Sequence, residues 1–140
     1  MEFLFLSNSR YLQQNIILYG EQQECEEAIV LLKINPILNG KQLNCFCIND
    51  QEELQMKLVD GNSDLVIILA DDAKGMEGVY TAREHDRDLV VFWFSNDRSF
   101  AVQSHQLDCT YFAVKPFTEK KLTRAFEYCA YIGIPIFYKK

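Results

Sequence analysis

The 140-residue chain is 49% apolar and 24% charged, the balance of a soluble folded domain, and it is long enough to bury a core without metal or disulfide staples. A net charge of −6 without any long Lys/Arg cluster excludes an electrostatic footprint for nucleic acid, so contact with DNA would require another domain. No apolar run approaches the roughly 18–20 residues that span a bilayer, and Cys25, Cys45, Cys47, Cys109 and Cys129 are scattered and odd in number, which predicts a reduced, cytoplasmic protein outside any membrane.

The first forty residues admit two readings. In the favoured one "EFLFL" (2–6) is the first strand, and Ser7 or Ser9 caps a helix that Gly20 ends or interrupts. In the other, "NIILY" (15–19) is the first strand and residues 1–14 are an extra arm. Both continue into a helix over "EQQECEEAIVLLK" and a loop at "NPILNGK". "LNCFCI" reads as a strand nearer an edge, and "QEELQMKLV" (51–59) as a helix capped by Asn49 or Asp50. "DLVIILA" (64–70) and "DLVVFWFS" (88–95) are apolar almost without interruption, as central strands covered on both faces must be. "SFAVQSHQL" (99–107) is a helix and "TYFAV" (110–114) a strand. In "TEKKLTRAFEYCA", Thr118 caps a closing helix whose stripe of Leu122, Ala125, Phe126 and Cys129 faces the core. Short apolar runs alternating with amphipathic stretches predict βαβ units and a parallel sheet.

Three pieces of this string carry a resemblance: "GMEG" after the third predicted strand, Ser95 ending the fourth, and "VKPF" ending the fifth. In order and at fitting separations, from about residue 64 to 126, they resemble the receiver domain of bacterial two-component response regulators, in the flavour attached to LytTR DNA-binding domains. The resemblance implies a doubly wound (βα)5 α/β fold of strand order 2-1-3-4-5, with the site at the carboxyl ends of the strands. It also implies a domain over 1–130, with 131–140 as a C-terminal extension or linker. In a working receiver an aspartate ending the third strand takes a phosphoryl group from the phosphohistidine of a histidine kinase. An acidic pair after the first strand helps hold Mg²⁺, and a Ser/Thr and a Lys bind the phosphoryl oxygens.

This sequence departs from that pattern at the anionic positions. Counting back from "GMEG" places Ala70 at the acceptor, and alanine offers no nucleophile. The acidic pair falls on Ser7 and Asn8 in the favoured register, or on Tyr19 and Gly20 with Glu21 beside them in the other. Ser95, Lys115 and Pro116 match the retained positions, the Lys-Pro bond being cis in the family. Phe112 takes the place of the switch aromatic. A buried ammonium without a counter-charge is costly, so Lys115 requires Asp71 or Asp72 to swing towards it. Ala73 and Lys74 replace the family's Met-Pro, and the short "GVYTAREHDRD" stretch predicts a stub for the third helix.

The reading that results is a pseudo-receiver: no enzyme, no cofactor and no metal, signalling by contact with a protein partner or by dimerisation through the face of helix four, strand five and helix five. Phe112, Phe117, Phe126, Tyr128, Tyr131, Phe137 and Tyr138 concentrate towards that end of the chain. In the alternative, Asp71 is a shifted acceptor that works with Mg²⁺ and a histidine kinase. Cys45 and Cys47 share a strand face without further ligands nearby, His85 and His105 sit in polar helix ends, and "YIGIPIFYKK" suggests an extra strand or a linker.

Overall fold

Ile16, Ile17, Leu18 and Tyr19 are at most 1% exposed, and they belong to the first strand of a five-stranded parallel sheet. The computed structural model describes residues 13–134. Its strands are β1 (Gln13–Tyr19), β2 (Gln42–Ile48), β3 (Leu65–Ile68), β4 (Val90–Ser95) and β5 (Tyr111–Val114). They alternate with α1 (Gln22–Ile34), α2 (Gln51–Val59), α3 (Asp72–His85), α4 (Ala101–Gln106) and α5 (Glu119–Tyr131). The strand order is β2-β1-β3-β4-β5, all pairs parallel, which is the expected (βα)5 arrangement.

The favoured register of the first strand is corrected. β1 lies over 13–19, and residues 2–6 and the Ser7/Ser9 helix caps fall outside the described residues. Adjacent β-branched Ile16 and Ile17 make "NIILY" a poor helix, and a single helix suffices to connect β1 to a parallel neighbour. The stub expected for the third helix is also corrected. α3 has 14 residues because it starts at Asp72, so "GMEG" lies inside its first two turns and not in a loop. Glycine permits this. A Cβ on Gly75 would stand 2.3 Å from the Ala70 carbonyl oxygen, and one on Gly78 would stand 2.7 Å from the Tyr19 ring.

The sheet separates two cores. Ile16, Leu18, Ile67, Phe92 and Phe94 pack towards α1 and α5, where Leu122, Ala125, Phe126 and Cys129 form the expected buried stripe. Burying Leu122 and Phe126 contributes about 1.5–3 kcal/mol each. Ile17, Tyr19, Ile68 and Trp93 pack towards α2 and α3. Asp50 and Thr118 cap α2 and α5, accepting from Glu53 N at 3.1 Å and Lys121 N at 3.2 Å. Cys45 and Cys47 do share one face, half-buried against the α1 side, and His85 and His105 are exposed. Residues 135–140, with Pro135, Phe137 and Tyr138, lie outside the described residues.

Candidate functional site

The carboxyl ends of β1, β3, β4 and β5 meet at one end of the sheet, where a doubly wound fold places its ligands. The peptide between Lys115 and Pro116 is cis, as the resemblance implied. The Lys115 side chain, 15% exposed, runs inward from the end of β5. Its ammonium has three donors and meets three acceptors: Glu24 Oε2 at 2.6 Å, the Leu69 carbonyl oxygen at 2.7 Å, and the Asp71 carboxylate at 3.2 and 3.3 Å.

Asp71 is therefore the acid that turns in, as the burial argument required, whereas Asp72 is exposed. The chain passes from β3 into α3 through Asp72 at φ 56°, a left-handed conformation that aspartate tolerates better than most residues. That turn aims the Asp71 side chain across the strand ends, where it accepts from the Asn96 backbone N–H at 2.9 Å as well as from Lys115. One carboxylate thus ties the β4–α4 loop to the β5 lysine.

Sequence reasoning missed Glu24. It projects from the first turn of α1, and only the two-residue connection from β1 brings it to Lys115. The register correction carries the signal, since once β1 ends at Tyr19, Glu24 follows within about one and a half helical turns.

The positions of the acidic pair are corrected with the register. Ser7 and Asn8 lie outside the described residues, and the end of β1 holds Tyr19 and Gly20. Tyr19 is fully buried beneath Gly78 of α3, and its hydroxyl has no hydrogen-bond partner among the described residues. Burial, then the charges of Glu77 and Asp50, push its pKa above the ordinary tyrosine value, so it stays a neutral phenol. It offers the site no anion.

Ala70 is buried, and its main chain is committed on both sides. Its N–H donates to the Tyr19 carbonyl at 3.1 Å, and its carbonyl accepts from the Trp93 indole N–H at 3.0 Å. Trp93 is the second residue that the sequence reading overlooked. Its ring meets Phe112 edge-on at 5.4 Å and Phe100 at 5.6 Å, and a Cβ on Gly75 would come within 2.6 Å of its Nε1. The space beneath Ala70 is filled by an indole. Phe112 is half-buried in this cluster. Ser95 is fully buried, and its hydroxyl turns into its own loop to accept from Asp97 N at 3.1 Å.

These residues do not suit Mg²⁺. The ion prefers an octahedral shell of hard oxygens, and the carboxylates here, Asp71 and Glu24, are both paired with Lys115. Among the described residues no group of three or more His, Cys, Asp or Glu is gathered for a metal. No helix among them is long and apolar enough to cross a membrane.

No protein-family model and no curated sequence matches the chain. Solved structures do. A LuxR-family two-component response regulator from Aurantimonas superposes with TM-score 0.64 at 18% identity, over 82% of this chain and 83% of that one. The response regulator TrrA from Thermotoga maritima, solved in complex with Mg²⁺ and BeF, gives 0.61 at 17% identity over 81% and 96%. A Francisella response-regulator receiver domain gives 0.62 at 14% identity over 85% and 98%. The chain has the fold of response-regulator receiver domains.

Proposed function

We propose that this chain is a pseudo-receiver, a cytoplasmic signalling domain that works by protein contact and carries no phosphoryl group on aspartate. The observation that supports this most directly is the Lys115 ammonium, whose three donors are already engaged by Glu24, Leu69 and Asp71. A phosphoryl group entering the site would find alanine at the acceptor, no acidic pair to hold a metal, and a cation whose charge is already balanced.

The second reading, Asp71 as a shifted acceptor, is favoured by its approach to Lys115. Against it, both carboxylate oxygens are held, one by Asn96 N and both near Lys115, so an attack would first break the bond that orders the β4–α4 loop. Incubation with Mg²⁺ and acetyl phosphate, followed by intact-mass measurement, separates the readings. The pseudo-receiver shows no gain, whereas a gain of one phosphoryl that disappears in Asp71→Asn would establish the alternative.

For the contact surface we propose the face of α4, β5 and α5. Tyr111 of β5 packs against Tyr128 of α5 at 5.9 Å, and Tyr128 and Tyr131 are 41% and 87% exposed. Large aromatics in such positions are typical of interface cores. Tyr131→Asp is expected to lower the apparent mass in light scattering if this face joins two copies, and an unchanged dimer would rule the face out.

A further inference from the structure

Cys25 and Cys47 meet where the start of α1 packs on β2. In the parallel ladder the Gly20 N–H donates to the Ile48 carbonyl at 2.9 Å, so Leu18, two residues back, also turns its main-chain polar groups towards β2. Leu18 stands in register with Cys47. The Cys25 thiol reaches down from α1 and donates to the Leu18 carbonyl oxygen at 3.7 Å. Cys47 projects from the same face of the sheet, since Leu43, Cys45 and Cys47 alternate towards α1. The two thiols are accordingly in side-chain hydrogen-bond contact. All five cysteines are free, and the other three are placed differently. Cys45 lies two residues back along β2, Cys109 packs on the opposite side of the sheet, and Cys129 is buried on α5.

We propose that Cys25 and Cys47 form a reversible oxidation site, in which a peroxide closes a disulfide between α1 and β2. Exposure sets the order of events. Cys47 is half-buried on a strand that pairs with β1 alone among the described residues, whereas Cys25 is fully buried, so the oxidant meets Cys47 first. The Cys47 thiolate attacks one oxygen of hydrogen peroxide and the O–O bond breaks. A sulfenic acid remains on Cys47, and the departing hydroxide joins the Cys47 proton as water. Burial first, then the neighbouring Cys47, pushes the Cys25 thiol up to about 12, so it keeps its proton until the sulfenic acid forms beside it. The Cys25 sulfur then attacks the Cys47 sulfur, the S–O bond breaks, and the hydroxyl leaves with the Cys25 proton as a second water. The two sulfurs close from hydrogen-bond contact to about 2 Å. Exchange with a small dithiol returns both thiols. The bridge fastens to the sheet the turn of α1 that carries Glu24, the partner of Lys115.

The test takes the full-length chain, reduced and then freed of reductant, through a titration with hydrogen peroxide. Remaining thiols are alkylated in denaturant, and the intact mass and a proteolytic digest are measured. The expected product is a monomer alkylated at Cys45, Cys109 and Cys129 alone, with a Cys25–Cys47 peptide pair in the digest and recovery of both thiols in dithiothreitol. Cys45→Ser should keep the bridge. Cys25→Ser should lose it and leave Cys47 as a sulfenic acid that dimedone labels. If Cys25→Ser does not fold, the digest of the unaltered chain still decides. Alkylation of all five cysteines after peroxide, a bridge to Cys45, or a bridge found only between chains would overturn the proposal. So would Cys47 carried on to the sulfinic acid without a bridge.

Discussion

The two halves of the strand-end site differ in what they keep. The β4–β5 half holds Ser95, Lys115 and the cis bond to Pro116, the pieces by which a receiver grips phosphoryl oxygens. The β1–β3 half holds Tyr19, Gly20 and Ala70, where the receiver pattern has carboxylates, and α3 presses its glycines against them. The comparison teaches that a charged site cannot lose one sign alone. Here Lys115 is paired by Glu24 of α1 and by Asp71 past the end of β3. Beneath Ala70 lies hydrophobic core, where Trp93 packs against Phe100 and Phe112.

If the β1–β3 half is now structural, its substitution should cost most. Trp93→Ala removes a fully buried indole, two aromatic contacts and the hydrogen bond to Ala70, and is expected to destabilise by about 3–5 kcal/mol in urea denaturation. A loss under about 1 kcal/mol would mean that the pocket is not packed as described. Next comes Gly75→Ala, which forces a methyl against Ala70 and Trp93 and should cost about 1–3 kcal/mol in the same measurement, although alanine is the better helix former. A gain in stability there would show that α3 stands off the strand ends.

The β4–β5 half should respond less, and through charge. Lys115→Met leaves Glu24 and Asp71 facing each other without a cation, and about 1–3 kcal/mol of stability is expected to be lost. Glu24→Gln should have the smallest effect, under about 1 kcal/mol, because the pair is partly exposed and Asp71 remains as partner. Were Glu24→Gln the more damaging of the two, the lysine would depend on α1 and not on the β3–α3 turn.

Much of this was readable in the chain. The doubly apolar runs at 64–70 and 88–95 marked β3 and β4 because a parallel sheet buried on both faces leaves no polar alternation, and the stripe from Leu122 to Cys129 marked the inner face of α5. The counter-charge for Lys115 was legible as a need, since burial makes a lone ammonium costly, and Asp71 met it. The first strand was misplaced because "EFLFL" and "NIILY" carry the same local pattern; only pairing with β2 and β3 distinguishes them. The third helix was misjudged because "GMEG" looks like a turn, whereas its glycines serve close helix-to-sheet packing.

Local sequence therefore determined most of the strands and helices, the order in which they alternate, and the alanine at position 70, but not the place of the first strand or the length of the third helix. These are properties of neighbours along the chain: hydrophobic period, caps and residue identity. The tertiary structure decided that Glu24 reaches Lys115 from 91 residues away, that Trp93 supports Ala70, and that Tyr19 is core and not ligand. Those outcomes depend on which strands lie side by side and on how closely a helix can approach them, distances that a linear pattern does not encode.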